Sequence, residues 1–167
     1  LKNEWEQILL THAKIVFKYL IKIGATKEDA EDITQETIMK TIECLQQIQP
    51  EKIRAWMFKV AIHCYYSLYN KNKTIVQLKE VDLEKLMPAI EDVGFSLLTK
   101  EMASELDEAL QELQPMFQQL LILKYYMGFS YKEISEILSM KETNVKTYLH
   151  RARNTFKKIW EVKFNGE

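Results

Sequence analysis

The sequence predicts an all-α fold of two small helical bundles joined by a linker, the C-terminal bundle containing a helix-turn-helix. Three observations carry that prediction. Apolar residues recur at three- and four-residue spacing along most of the chain, the period of a helix with one buried face. Only four Gly and three Pro occur in 167 residues, too few for the turns of a β sandwich or barrel. Those few breakers also fall between the periodic stretches rather than inside them. A composition of 47% hydrophobic and 28% charged residues excludes a disordered or collagen-like chain.

The elements follow in order. Trp5, Ile8, Leu9, His12, Ile15, Val16, Tyr19, Leu20 and Ile23 trace a first amphipathic helix that Gly24 ends. Thr26 reads as an N-cap, with Asp29 supporting the next first turn. The helix it opens turns Ala30, Ile33, Thr37, Thr41 and Leu45 toward a core and stops before Pro50. A third helix, about Ile53 to Lys71, packs Trp56, Val60 and Cys64 at four-residue spacing. Residues 1–73 are thus a first domain. Residues 74–100 scatter apolar side chains among acids, with Pro88 and Gly94 interrupting any long helix, and read as a linker. Residues 101–167 are a second domain. Leu106, Leu110 and Leu113 open it, and Pro115 suits the first position of a helix that runs through Leu120, Ile122, Leu123 and Tyr126 to Gly128. Ser130 to Glu133 has capping-box spacing ahead of Ile134, Ile137 and Leu138. After a turn over Ser139, Met140 and Lys141, a last helix aligns Val145, Leu149, Ala152, Phe156 and Ile159.

The formal net charge is −1, which taken whole speaks against nucleic acid. The charge is unevenly placed, however. Lys52, Arg54, Lys59, Lys71, Lys73 and Lys79 lie in a stretch with no acid. Lys141 to Lys163 is also strongly basic, opposed only by Glu142 and Glu161. Two basic surfaces in a neutral chain suit either anion binding or two solvated helix faces. No apolar run approaches the ~18 residues of a membrane span, and no charged-then-apolar leader is visible. Cys44 and Cys64 are too few for a disulfide framework and lack metal-site spacing. A reduced, cytoplasmic protein is the expectation, with both thiols inert on buried helix faces.

Two chemical signals stand out. A short helix, a turn of about three residues and a second helix form a helix-turn-helix, whose second helix can enter a major groove. On that helix Asn144, Thr147, Arg151, Asn154 and Lys158 fall opposite the apolar stripe, donors suited to base edges and phosphates. On the acid-free helix, Trp56, Phe58, Tyr65, Tyr66 and Tyr69 interleave with Lys59, His63, Asn70, Lys71 and Lys73. Stacking planes with countercharge are what unstacked bases require, although most aromatics of this kind pack a core. A third pattern, Asp29, Asp32, Glu36 and Glu43 on one helix face, is either a solvated stripe or an acidic surface for a basic partner.

These residues carry a family resemblance. Asp29-Ala30-Glu31-Asp32-Ile33-Thr34-Gln35-Glu36-Thr37, followed by Ala55-Trp56-Met57-Phe58-Lys59-Val60-Ala61, resembles region 2 of the extracytoplasmic-function (ECF) sigma factors of bacterial RNA polymerase. Tyr131-Lys132-Glu133-Ile134-Ser135, Asn144-Val145-Lys146-Thr147 and Arg151-Ala152-Arg153 resemble their region 4. The resemblance covers nearly the whole chain, with the motif blocks in the family's order. It implies an alternative sigma factor, a non-enzymatic subunit that binds core polymerase and directs promoter-specific initiation. No cofactor, metal or small-molecule substrate is implied.

The resemblance also implies roles for individual residues. Asp29, Asp32, Gln35 and Glu36 would bind the polymerase. Trp56, Lys59, His63, Tyr66, Ser67, Asn70 and Lys71, with the loop from Gln47 to Ile53, would recognise the melted −10 element. Asn144, Lys146, Thr147, Tyr148, His150 and Arg151 would read the −35 duplex. A cognate anti-sigma factor, often membrane-anchored in the family, would mask the polymerase-binding surfaces. The chain departs from the family pattern at several places. His63 stands where Asn is common, and Leu68 to Lys73 is less basic than the family's Arg-rich run. Ser139 stands where the turn usually has Gly, Thr143-Asn144 where Gly-Thr is frequent, and Tyr148 where Arg is frequent. An alternative is a helix-turn-helix regulator acting without the sigma role, opposed by the N-terminal motif block. A helical metal hydrolase on Asp29, Asp32 and Glu36 lacks a completed ligand set.

Overall fold

The computed structural model describes residues 2–72 and 100–164. The chain divides into two compact units, Leu1–Val81 and Asp82–Glu167. All regular structure among the described residues is helical. The proposed linker, residues 74–100, lies outside the described residues except for Lys100.

The first unit packs α1 (Lys2–Lys22), α2 (Lys27–Glu43) and α3 (Ile53–Asn72) against one another. Gly24 ends α1 at φ 108°, a left-handed value that glycine adopts without a Cβ clash. Its turn satisfies two end carbonyls, through Gly24 N–H to Ile21 O (3.1 Å) and Ala25 N–H to Leu20 O (2.9 Å). Thr26 then caps α2, its hydroxyl accepting from the Asp29 N–H at 3.1 Å. On the buried face of α2, the Thr37 and Thr41 hydroxyls donate to Ile33 O (2.8 Å) and Thr37 O (2.7 Å), so neither is left unsatisfied. Two short 3₁₀ turns, Leu45–Gln47 and Pro50–Lys52, carry the chain into α3.

α3 departs from the expected four-residue stripe. Trp56 and Val60 are only half-buried, whereas Ile53, Met57, Phe58, Ala61, Ile62 and Tyr65 are buried along with Cys64. Both α1 and α2 pack on α3, so its buried arc is broader than a single row. Two tyrosines fasten it to the end of α1: Tyr65 donates to Ile23 O (3.1 Å) and Tyr69 to Gly24 O (3.3 Å). Burial raises the Tyr65 phenol well above its ordinary range, so it remains a donor. Two further expectations are corrected: Ile8 is exposed at the margin of the buried face of α1, and Leu45, half-buried, lies beyond the end of α2 in the first 3₁₀ turn.

The second unit comprises α4 (Lys100–Gln111), α5 (Pro115–Leu121), α6 (Tyr131–Leu138) and α7 (Glu142–Phe164). Pro115 occupies the start of α5 as its missing N–H permits. The helix widens into a π segment, Ile122–Tyr126, closed by Met127 N–H to Ile122 O at 3.0 Å. Gly128, at φ 72°, ends it. Ser130 and Glu133 form a complete capping box at α6, each side chain reaching the other's backbone N–H at 3.1 Å. Ser139 ends α6 in the left-handed region (φ 53°, ψ 45°), a strain of roughly 1 kcal/mol that a Gly would avoid. α7 lies against α4, α5 and α6, burying Val145, Leu149 and Ala152 while Phe156 and Ile159 are half-buried. Its last turns carry a ladder of rings, Phe156–Trp160 (6.0 Å between centroids) and Trp160–Phe164 (4.7 Å).

Candidate functional site

α7 is the second helix of a tight helix-turn-helix, three residues (Ser139 to Lys141) separating it from α6. Its buried residues fix its rotation, which leaves Asn144, Thr147, Arg151, Asn154 and Lys158 exposed together on the opposite side. Lys146 and His150 are exposed on a flank and Tyr148 is half-buried. The groups differ in how they are held. The Thr147 hydroxyl donates back to Thr143 O (3.0 Å), and His150 Nε2 lies 3.3 Å from Asn154 Nδ2. The Arg151 guanidinium lies over the Tyr148 ring, 5.7 Å from its centroid.

Beside this face is a cluster of which sequence reasoning assigned only Lys146 to DNA. Lys124 and Lys146 both lie over the Tyr131 ring, 4.4 and 5.6 Å from its centroid. Arg153 donates to the Tyr125 hydroxyl at 3.0 Å, which holds the guanidinium above its ordinary pKa. Three cations from α7 and the π segment thus border the first turn of α6, with Glu142 the acid paired to Lys146 (3.9 Å). The Tyr131 motif was visible in the sequence. Its neighbours were not, because the π segment sets which way Lys124 and Tyr125 point.

In the first unit, the proposed −10 residues share one side of α3. Lys59, His63, Tyr66 and Ser67 are exposed along it, and Trp56 is half-buried at its start. Trp56 Nε1 is enclosed, without a hydrogen-bond partner among the described residues. Tyr66 stands edge-on to the buried Tyr65 ring at 5.6 Å, which gives the exposed ring a firm support. Asn70 and Lys71 lie on α3, and their side chains are outside the described residues.

The acidic stripe on α2 is split by the structure. Asp29 is half-buried, and its charge adds to the burial that raises the Tyr65 and Tyr69 phenols. Glu36 pairs with Lys40 (2.9 Å), whose amine also reaches Cys64 Sγ (3.8 Å). The fully outward side of α2 carries Asp32, Gln35 and Glu43 with two exposed apolar residues, Met39 (62% exposed) and Ile42 (55%). Sequence reasoning missed that apolar pair, although its spacing from Asp32 and Gln35 was there to be read. Cys64 is buried, which pushes its thiol pKa up, while Cys44 is half-buried at the end of α2 rather than buried as expected. Among the described residues, no group of three or more His, Cys, Asp or Glu is placed to hold a metal ion. No described helix is long and apolar enough to cross a membrane.

Known proteins share this arrangement. Residues 8–75 match Sigma-70 region 2, and residues 103–156 match Sigma-70 region 4. The RNA polymerase sigma factor YlaC of Bacillus subtilis (strain 168) is 30% identical over 160 residues, covering 94% of this chain and 92% of that protein. The ECF RNA polymerase sigma factor SigM of the same organism is 27% identical over 163 residues, covering 97% and 98%. A co-crystal structure of the sigma factor RpoE with the anti-sigma factor NepR, from Bartonella quintana, has a TM-score of 0.69 at 20% identity, covering 96% of this chain and 98% of that one. That structural likeness establishes the fold, and the sequence relatives establish the lineage. The chain belongs to the ECF sigma factors, the transcription-initiation subunits of bacterial RNA polymerase.

Proposed function

We propose that this sigma factor divides its work between its units, with residues 1–73 docking core polymerase and engaging the −10 element, 74–100 linking, and 101–167 reading the −35 duplex. The observation that carries the proposal is the pairing of a capped helix-turn-helix, its outward face rich in donors, with a separate helix whose exposed side is acid-free. Asn144, Thr147 and Arg151 suit base edges. Lys124, Lys146 and Arg153 suit the adjoining phosphates, which position the helix without reading sequence. On α3, Lys59, His63, Tyr66 and Ser67 offer countercharge and a stacking plane to an unpaired strand.

Polymerase docking falls to the outward side of α2. Its centre is the Met39–Ile42 pair, bordered by Asp32, Gln35 and Glu43. An apolar centre with a charged rim is the usual anatomy of a specific interface. Asp29 and Glu36 serve it from the flank. The chain acts in the cytoplasm as a non-enzymatic factor. An anti-sigma factor holds it inactive by covering the polymerase-docking surface; the sigma factor RpoE, similar in fold, was crystallised with the anti-sigma factor NepR.

Run-off transcription with core polymerase tests the proposal. Transcripts that depend on both the chain and a −35/−10 promoter are expected. Template binding by the chain alone, with no polymerase-dependent transcript, would favour a plain helix-turn-helix regulator.

A further inference from the structure

The polar groups on the outward face of α7 are not equally available. Thr147 returns its hydroxyl to the backbone, and His150 and Asn154 engage each other. Among the described residues, the Arg151 guanidinium makes no hydrogen bond or ion pair, and its partner is the Tyr148 ring, 5.7 Å away. Tyr148 is half-buried, so its ring has less freedom than an exposed side chain, and it stands one turn before Arg151. A long side chain on an exposed helix otherwise samples many rotamers, and an aromatic face favours the subset that lies along it.

We propose that Tyr148 is a positioning residue that aims Arg151, so that the pair selects a guanine within the −35 duplex. The inference rests on the reading of α7 as the helix that enters that duplex. A guanidinium fork matches the O6 and N7 acceptors of guanine, a pattern no other base edge presents in the major groove. A cation aimed at phosphate would carry no base preference.

The test uses holoenzyme reconstituted from the full chain and core polymerase, with promoter fragments randomised across the −35 element and the bound DNA sequenced. The unmodified chain is expected to enrich guanine at one position by about five-fold or more. Arg151→Ala removes that preference. Tyr148→Ala narrows it by roughly two- to five-fold, the bias an exposed cation–π contact supplies, and leaves the other positions and the salt dependence unchanged. Tyr148→Phe, which keeps the ring, retains it. A guanine preference that survives either alanine variant in full overturns the proposal, as does Tyr148→Phe behaving like Tyr148→Ala. An even loss across all sequences in Tyr148→Ala also overturns it, by showing a merely structural role. If the unmodified holoenzyme enriches no −35 sequence, the reading of α7 itself falls, and this pair with it.

Discussion

The two units are built from the same material, helices around a core of aliphatic and aromatic side chains, yet they expose different surfaces. The first shows an acidic and apolar side on α2 and an acid-free side on α3, two working faces on two helices. The second concentrates its donors on one helix, α7, beside a cluster in which Lys124 of the π segment and Lys146 share the Tyr131 ring and Arg153 donates to Tyr125. The difference teaches why a net charge of −1 is compatible with promoter binding. The total sums a surface suited to protein with surfaces suited to DNA, so affinity for DNA is local rather than global.

That contrast makes separable predictions. The largest effect is on stability within one unit. Leu149→Ala is expected to cost the second unit roughly 2–5 kcal/mol, because Leu149 is fully buried beneath the helix-turn-helix. Hydrogen exchange should show loss of protection in residues 100–164 alone; equal loss in α1–α3 would show that the units do not stand independently.

Next come the two binding faces. Met39→Glu combined with Ile42→Glu is expected to weaken core-polymerase binding by about 2 kcal/mol or more, the cost of an interface's apolar centre. Arg151→Ala is expected to weaken −35 duplex binding by roughly 1–3 kcal/mol. Anisotropy titrations against core polymerase and a labelled duplex separate the two.

Smaller effects concern local strain and charge. Ser139→Gly relieves the left-handed backbone between α6 and α7 and should stabilise the second unit by up to about 1 kcal/mol, read as a raised Tm. His12 is half-buried, with Nδ1 lacking a hydrogen-bond partner among the described residues. Burial and the Arg54 charge lower its pKa. The unfolded chain therefore takes up the proton first, so the stability His12 contributes is complete above pH 6.5 and declines as pH falls below it. Thermal melts of His12→Gln should show a shallower loss of stability between pH 7 and about pH 5 than the unmodified chain. Parallel curves would remove His12 as a source of acid sensitivity.

Much of the fold was legible because its signals are local. Thr26, Pro115 and the Ser130–Glu133 box act within one turn of their own helices, and the structure holds each where its chemistry requires. The α7 face was legible for the same reason, since one apolar stripe fixes the opposite side. What was hidden depends on three-dimensional neighbours. Packing by two helices broadened the buried arc of α3, so Trp56 and Val60 were misplaced. A π segment cannot be read from periodicity, so the cluster of Lys124, Tyr131 and Arg153 was missed. The tyrosine bonds from Tyr65 to Ile23 O and from Tyr69 to Gly24 O were hidden for the same reason, since they depend on how α3 meets the end of α1.

The division of labour is tested by one paired titration of Asp32→Arg and Arg151→Ala, each measured against core polymerase and against −35 promoter duplex. Asp32 is exposed on α2 and Arg151 on α7, so neither substitution should disturb a core. The expected result is a crossed loss: Asp32→Arg weakens polymerase binding and leaves the duplex unchanged, while Arg151→Ala does the reverse. Equal losses on both partners from either variant would contradict it.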